Sequence, residues 1–170
     1  MGTPLPAMLQ DIYTRLTERI REETARYYGD RLISLVLYGS VARGDMRPDA
    51  DIDLLVVAEP LPSGRMARVR EFSAVEQALR PDLDWAAQQG VHTYLSPLFK
   101  TPAETQYGSP LFLDMTLESR ILFDRAGFFT DYLEGLRARM QALGSVRKRL
   151  GDGYYWVLKP DLKPGEEIVL

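Results

Sequence analysis

Two short apolar segments, separated by a polar link, constrain the fold of this chain more than any other feature of its sequence. Residues 32–38 and 51–57 are rich in β-branched and large apolar side chains, a composition typical of buried strands. The link between them contains Gly44 and Pro48 and is too short for a crossover helix of ordinary length. The sequence therefore predicts two neighbouring strands that pair antiparallel.

The rest of the chain alternates predicted helices with predicted strands. Apolar residues at steps of three and four (Leu9, Ile12, Leu16 and Ile20) indicate an amphipathic helix over residues 8–28. This order predicts an α/β (α+β) fold, with a small mixed sheet and flanking helices. The further elements that we predict are a helix over 63–79 with Ser63 as its cap, a strand over 91–98, a partly helical segment over 102–118 that breaks at Gly108 and Pro110, a strand over 121–123 and a final helix over 128–150.

The length of 170 residues predicts a single domain. We assign residues 1–150 to this domain and residues 151–170 to an aromatic and proline-rich tail that packs on it. The first residues lack the basic start and the apolar run of a signal peptide, and no stretch approaches the roughly 20 apolar residues that span a bilayer. We therefore expect a cytoplasmic protein with no membrane association.

Composition excludes several classes of functional site. The chain contains no cysteine and a single histidine, His92. Disulfides, zinc–thiolate sites, iron–sulfur clusters and a cysteine nucleophile are therefore excluded, and a histidine-rich metal cluster is excluded with them. The formal net charge of −3 argues against a chain that coats nucleic acid through its overall charge.

Two aspartates at the start of the second apolar segment carry the clearest chemical signal. Successive strand residues point to opposite faces, so Asp51 and Asp53 project to the same side. Two carboxylates at this spacing repel each other, and burial increases the repulsion, unless a cation lies between them. Hard carboxylate oxygens are typical ligands of Mg²⁺. The pair therefore predicts a magnesium site; the alternative is a pair of solvated or capping aspartates.

Gly39 and Ser40 directly follow the first predicted strand. A glycine lets the backbone approach a ligand closely, and Ser40 adds a hydroxyl donor, so this dipeptide is a candidate phosphate-binding loop. The alternative is an ordinary turn. A phosphate-binding loop beside a carboxylate pair provides the two parts that metal-assisted nucleotidyl transfer requires.

The whole segment from Gly39 to Asp53 resembles a known family. Gly39-Ser40, ten intervening residues and then Asp51-x-Asp53, with Ala42-Arg43-Gly44 inside, resembles the nucleotidyltransferase superfamily related to DNA polymerase beta. The short chain and the motif Tyr-Gly-Ser-x-Ala-Arg-Gly resemble the minimal branch of that superfamily, which includes antitoxin-type members paired with HEPN toxins. The match is dense over residues 32–58 and vague elsewhere.

The resemblance implies a role for each residue of the motif. Gly39 and Ser40 would hold the triphosphate of a nucleotide, Arg43 would lie near the phosphates or brace the loop, and Asp51 and Asp53 would bind two Mg²⁺ ions. The implied reaction transfers a nucleoside monophosphate from a nucleoside triphosphate, with ATP favoured, to a hydroxyl of a protein, an RNA or a small molecule. The alternative is a catalytically weak or inactive antitoxin-like subunit that binds a HEPN-type partner.

The sequence does not identify a third carboxylate, which the superfamily usually supplies from a later strand. The predicted strand over 91–98 contains no acid, and His92 is a candidate for that place on the catalytic face. Among the acids elsewhere we favour Asp114, because its apolar neighbours predict partial burial. The acids that we consider are Asp82, Asp84, Glu104 and Asp114.

Overall fold

A computed structural model describes residues 6–170 of the chain. Its helices are α1 (Pro6–Tyr28), α2 (Gly39–Arg43), α3 (Arg65–Gln88), α4 (Pro102–Gln106), α5 (Pro110–Met115) and α6 (Phe128–Ala142). Its strands are β1 (Leu32–Tyr38), β2 (Ile52–Ala58), β3 (Leu95–Lys100), β4 (Arg120–Asp124), β5 (Val146–Leu150) and β6 (Gly153–Val157). Within this described part, no helix combines the length and the hydropathy that a bilayer crossing requires.

A four-stranded mixed sheet in the order β3-β2-β1-β4 forms the centre of the fold. β1 pairs antiparallel with β2, with Tyr38 opposite Asp53, which confirms the predicted antiparallel pairing. β4 pairs antiparallel with the other edge of β1. β2 and β3 are parallel, and the long helix α3 makes the crossover connection that parallel strands need. The mixed sheet and the flanking helices confirm the predicted fold class.

Each face of the sheet is covered by a different pair of helices. Neighbouring strand residues point to opposite faces, so Leu54 packs in one core with α1 and α3, while Leu55 packs in a second core with α5 and α6. Both leucines are fully buried. Because both faces are covered, β1 and β2 are nearly continuous apolar runs without a polar alternation. The motif lies where these two strands meet at one end of the sheet.

Several predicted elements are confirmed with small changes at their ends. α1, β1, β2 and β4 each overlap the segment that their periodicity predicts, and the segment 102–118 contains two short helices separated around Gly108. Thr101 and Glu104 form a capping box at the start of α4, and Ser109 caps α5.

Helix α3 differs from the predicted helix at both ends. It begins after Gly64, which is its N-cap residue in place of Ser63. It continues through Pro81 to Gln88, although a proline inside a helix removes one backbone hydrogen bond. Ala86, beyond the proline, is fully buried against the core of α1. Tertiary packing therefore outweighs the local cost of the proline.

The third strand starts later than predicted, because the residues before it are bonded to the loop between β1 and β2. In the segment 91–94, the amide of His92 donates to the carbonyl of Pro48 at 2.8 Å. The hydroxyl of Thr93 donates to the carbonyl of Ala50 at 2.7 Å. His92 is exposed and lies outside the strand, so its predicted place on the catalytic face of a strand is wrong.

The predicted final helix over 128–150 is wrong beyond residue 142. Gly144 follows α6 with a φ of +69°, a left-handed conformation that ends many helices. The next residues form β5, which pairs antiparallel with β6 and sets Arg147 opposite Trp156. The boundary predicted between residues 150 and 151 falls in the turn of this hairpin. Residues 1–5 of the predicted domain lie outside the described residues.

Candidate active site

Gly39, at the junction of β1 and α2, lies directly against Asp53. It has a φ of +74°, a backbone conformation that residues with a side chain rarely adopt. A Cβ at this position would lie 2.3 Å from Oδ2 of Asp53, so any larger residue would displace the carboxylate. The structure therefore brings together two of the predicted parts, the glycine-serine loop and the carboxylate pair.

The two aspartates form a concentrated negative charge that is partly removed from water. Asp53 lies on the same face of the sheet as Leu55, and alternation places Asp51 there too. Burial raises the pKa of Asp53, a hydrogen bond with Ser96 lowers it, and the charge of Asp51 raises it again. This pair of hard oxygen donors fits a divalent cation whose remaining ligands come from phosphate and water.

On each strand next to β2, the residue beside Asp53 has a side chain with a hydroxyl group. In the sheet register, Tyr38 of β1 and Ser96 of β3 lie next to Asp53. Burial and the charge of Asp53 raise the pKa of the Tyr38 phenol to about 12, so this phenol is neutral at physiological pH. β3 contains no acid. Ser96 occupies the position next to Asp53 on this strand.

Arg43, at the end of α2, is held by two carboxylates. Its Nε donates to Asp45 at 3.1 Å, and its Nη1 donates to Glu118 at 3.4 Å. Glu118 also accepts a hydrogen bond from Nη1 of Arg147 on β5, at 2.5 Å. The Arg43 guanidinium lies within electrostatic reach of Asp53. Arg43 is thus close to the carboxylate pair, and Glu118 connects it to the C-terminal hairpin.

Two hydroxyl groups that the sequence did not single out hold the loop that leads to Asp51. The Tyr13 hydroxyl of α1 donates to the carbonyls of Arg47 and Ala50, both at 2.9 Å. The Thr93 hydroxyl donates to the same carbonyl of Ala50. Neither residue belongs to a motif, and their contacts join residues 34 to 43 positions apart. Only the folded chain shows them.

Asp114, the favoured third acid, belongs to a different group of contacts. It accepts a hydrogen bond from Nε1 of Trp156 at 3.0 Å and forms an ion pair with Nε of Arg147 at 3.3 Å. Within residues 6–170, no three His, Asp or Glu side chains form a group that could hold a metal ion, so Asp114 does not join Asp51 and Asp53 in one. The other candidate acids pair with arginines: Glu104 with Arg68, Asp82 with Arg19 and Asp84 with Arg80.

The solved structures that match this chain share little sequence with it. One is a toxin–antitoxin complex with AMP-PNP, at 18% identity and a TM-score of 0.42, which covers 74% of this chain and 94% of that chain. Another, from Shewanella oneidensis, has 14% identity and a TM-score of 0.45 and covers 75% of this chain and 89% of that chain.

Sequence comparison is more specific. The family model of the nucleotidyltransferase domain matches residues 17–122, a range that includes both halves of the motif. A protein of Methanocaldococcus jannaschii that carries the provisional name protein adenylyltransferase is 30% identical over 132 residues, which cover 76% of this chain and 82% of the relative. The chain therefore belongs to the nucleotidyltransferase domain family and is a nucleotidyltransferase, which transfers a nucleoside monophosphate from a nucleoside triphosphate.

Proposed function

We propose that this nucleotidyltransferase transfers AMP from ATP to a hydroxyl group of another protein in the cytoplasm. The observation that carries the proposal is the contact between Gly39 and Asp53, because it joins a loop that a ligand can approach closely with the carboxylate pair. The relative of Methanocaldococcus jannaschii is named for adenylyl transfer to protein. That name supports ATP as the donor and a protein as the acceptor.

Each residue of the motif has a separate role in the proposed reaction. Gly39 lets the backbone approach the triphosphate, Ser40 donates its hydroxyl to a phosphate oxygen, and Arg43 offsets phosphate charge. Asp51 and Asp53 hold two Mg²⁺ ions when substrate is bound. Magnesium held there supplies activation of the acceptor hydroxyl and stabilisation of the negative charge on the departing pyrophosphate.

β3 has no carboxylate that could act as a general base for the acceptor hydroxyl. Ser96 lies beside Asp53 in the sheet register and lowers the pKa of its carboxyl group, so we assign Ser96 the role of orienting the aspartate. A serine hydroxyl of ordinary acidity is too weak a base to take a proton from the acceptor. We therefore assign the departing proton to solvent.

Transfer of label from ATP to protein tests this function. One sample contains ATP labelled at the α-phosphate, and a parallel sample contains ATP labelled at the γ-phosphate. With Mg²⁺ and a protein extract, we expect addition of this chain to increase the labelling of protein from the α-position alone, because the γ-phosphate leaves in pyrophosphate. Asp53→Asn should reduce the labelling by at least about 100-fold. Asp49→Asn, which changes an exposed carboxylate of the same loop, is the matched control and should label protein like the wild type. An increase in γ-labelling on addition of the chain, or full activity of Asp53→Asn, would contradict the proposal.

A second function, binding of a HEPN-type partner without transfer, is favoured by one observation. β3 presents Ser96, and no acid, beside Asp53. As an antitoxin-like subunit, the chain would act by covering its partner. The two functions differ in their response to Asp53→Asn. If binding suffices, the variant still neutralises a purified HEPN-type protein. If transfer is required, neutralisation is lost while binding measured by calorimetry remains.

A further inference from the structure

We propose that the cleft beside Asp53 binds the acceptor protein, and that its cations select a segment with carboxylates next to the reactive hydroxyl. This inference rests on the proposed function and specifies its acceptor. The cleft has a volume of about 580 Å³ and is lined at one end by Tyr38 and Ser96, the two neighbours of Asp53 in the sheet. It extends along β3 to Lys100. A cavity of this size accommodates a small ligand or a peptide side chain with its neighbours.

The lining of the cleft changes along its length from hydroxyl to apolar to cationic. Ser96, Leu98 and Lys100 alternate along β3, so they share the face on which Asp53 lies. Leu98 therefore lies between the hydroxyl end and the cation, and Leu111 of α5 adds a second apolar wall. At about 3.3 Å per strand residue, Lys100 lies about 13 Å along the strand from Ser96.

The far end of the cleft carries three cations, Arg65, Arg68 and Lys100, and one carboxylate, Glu104, whose pKa the charge of Lys100 also lowers. Arg68 donates to both oxygens of Glu104, at 2.7 and 2.8 Å, and these hydrogen bonds lower the pKa of Glu104 to about 2. Those two charges therefore offset each other. Lys100 and Arg65, which also line the cleft, have no carboxylate within 4.0 Å among residues 6–170. The excess of positive charge is local, because the whole chain has a net charge of −3.

A polypeptide segment with acidic neighbours matches this order of surfaces. The reactive hydroxyl of the segment lies at Asp53, and the apolar part of the side chain that carries it lies along Leu98. The flanking carboxylates reach Lys100 and Arg65. A nucleic-acid strand matches less well, because every nucleotide carries a phosphate and would bring charge to the apolar middle. The triphosphate of ATP is assigned to the loop of Gly39 and Ser40, so only the adenine could extend to the far end of the cleft. Adenine is neutral and would leave both cations unpaired. Charge complementarity therefore favours an acidic acceptor segment.

The transfer in this cleft balances without a further reactant. The acceptor oxygen forms a bond to the α-phosphorus of ATP, and the bond from that phosphorus to the bridging oxygen of pyrophosphate breaks. Pyrophosphate leaves with the electron pair, and the hydroxyl proton passes to solvent.

Fluorescent copolymers of glutamate with tyrosine, and of lysine with tyrosine, test the cleft by anisotropy with the full chain. We expect the glutamate copolymer to bind the wild type and the lysine copolymer not to bind. The double variant Lys100→Glu, Arg65→Glu should bind the glutamate copolymer at least about ten-fold more weakly and should gain affinity for the lysine copolymer. Lys148→Glu, at an exposed lysine of β5, makes one such charge reversal elsewhere on the surface and should leave both affinities unchanged.

Several results would overturn the proposal. One is that the wild type does not bind the glutamate copolymer, and another is that Lys148→Glu loses as much affinity for it as the double variant does. A third is tighter binding of a single-stranded oligoribonucleotide through the same two cations. A fourth is a comparable loss of Mg·ATP affinity in the double variant. If the double variant labels extract proteins as strongly as the wild type does, the cleft is not the acceptor site, although the proposed function stands. Copolymer binding without any AMP transfer from α-labelled ATP would contradict the proposed function and leave the cleft in place.

Discussion

Gly39, the first residue of helix α2, and Gly44, directly after its last residue, both have positive φ angles but very different surroundings. Their φ angles are +74° and +81°, so a side chain strains the backbone at either position. At Gly39 a Cβ would lie 2.3 Å from the Asp53 carboxylate, whereas the nearest atom to a Cβ at Gly44 is 4.0 Å away. The two glycines therefore separate the cost of backbone strain from the cost of contact with the site.

Substitution of these glycines by alanine should affect stability at both positions and activity at only one. Gly39→Ala and Gly44→Ala should each lower the free energy of unfolding by about 1–2 kcal/mol through the left-handed backbone. Only Gly39→Ala should displace Asp53, and a displacement of about 1 Å reduces transfer by about 100-fold. Urea unfolding and labelling from α-labelled ATP measure the two effects. Full activity of Gly39→Ala would show that its contact with Asp53 has no catalytic consequence.

At the scale of secondary-structure elements, ion pairs connect α2 to the hairpin of β5 and β6. Arg43 pairs with Glu118, and Glu118 pairs with Arg147. Arg147 also pairs with Asp114, and its guanidinium lies 4.1 Å from the centre of the Tyr154 ring. Hydrogen bonding by Arg147 lowers the pKa of Glu118, so Glu118 stays charged at neutral pH. The hairpin thereby orients a residue that we assign to phosphate binding.

Glu118→Gln should weaken Mg·ATP binding, because Arg43 loses the charge that orients it. We expect the dissociation constant from calorimetry to rise by about three- to ten-fold. In an Arg43→Ala background, Glu118→Gln should cause no further loss, since the two residues act as one unit. Asp84→Asn, which removes an exposed ion pair within α3, is the control and should bind like the wild type. An additive loss in the double variant would contradict this coupling.

Asp124, at the end of β4, caps the helix that follows it. Its carboxylate accepts hydrogen bonds from the amides of Phe129 and Thr130, at 3.0 and 2.9 Å, and from the Ser34 hydroxyl, at 2.6 Å. Burial by itself would raise the pKa of Asp124, but the hydrogen bonds from Ser34, Phe129 and Thr130 outweigh it and hold the pKa below the ordinary value of an aspartate. A group whose pKa is lower in the folded state stabilises the fold above its unfolded pKa.

Asp124→Ala should lower the free energy of unfolding by about 2 kcal/mol at neutral pH, through the lost cap and the unpaired Ser34 hydroxyl. The difference from the wild type should be constant above the unfolded pKa and should shrink as the pH falls through the lower folded pKa. Asp131→Asn, at an exposed position of the same helix, should have a much smaller effect. Urea unfolding across this pH range checks both expectations, and a difference that grows on acidification would contradict them.

At the scale of the whole molecule, one sheet separates two apolar cores. Leu54 and Leu55 are adjacent in β2 and fully buried on opposite faces. Trp85 packs against the core that contains Leu54, and Trp156 packs against the core that contains Leu55. Because β1 and β2 contribute to both cores, we expect the cores to unfold together.

Leu54→Ala and Leu55→Ala should each lower the free energy of unfolding by about 2–5 kcal/mol, as expected for cavities in a packed interior. Leu162→Ala, at a side chain that is 46% exposed, is the control and should change it by less than about 0.5 kcal/mol. In a Trp85→Phe background, the fluorescence of Trp156 reports the core that contains Leu55. In a Trp156→Phe background, the fluorescence of Trp85 reports the core that contains Leu54. Coincident transitions are expected, and two separate midpoints would show that the cores are independent.

Local patterns in the sequence were sufficient for the central strands and the motif. The apolar runs of β1 and β2 predict strands because each is short and bounded by turn residues. The short link between them leaves only antiparallel pairing. Period-two alternation then places Asp51 and Asp53 on one face, and the position of Gly39 and Ser40 after β1 brings them to the same end of the sheet.

The tertiary structure alone decided the features that depend on pairing between distant segments. Ser96 faces Asp53 because of the parallel register of β2 and β3, and register is not encoded in either strand by itself. Residues 146–150 form a strand because β6 pairs with them, whereas as an isolated segment they continue the predicted final helix. Glu118 reaches Arg43 across 75 positions of sequence. Such contacts depend on the packing of whole elements, so short-range periodicity predicts which residues share a face but not which distant residues meet.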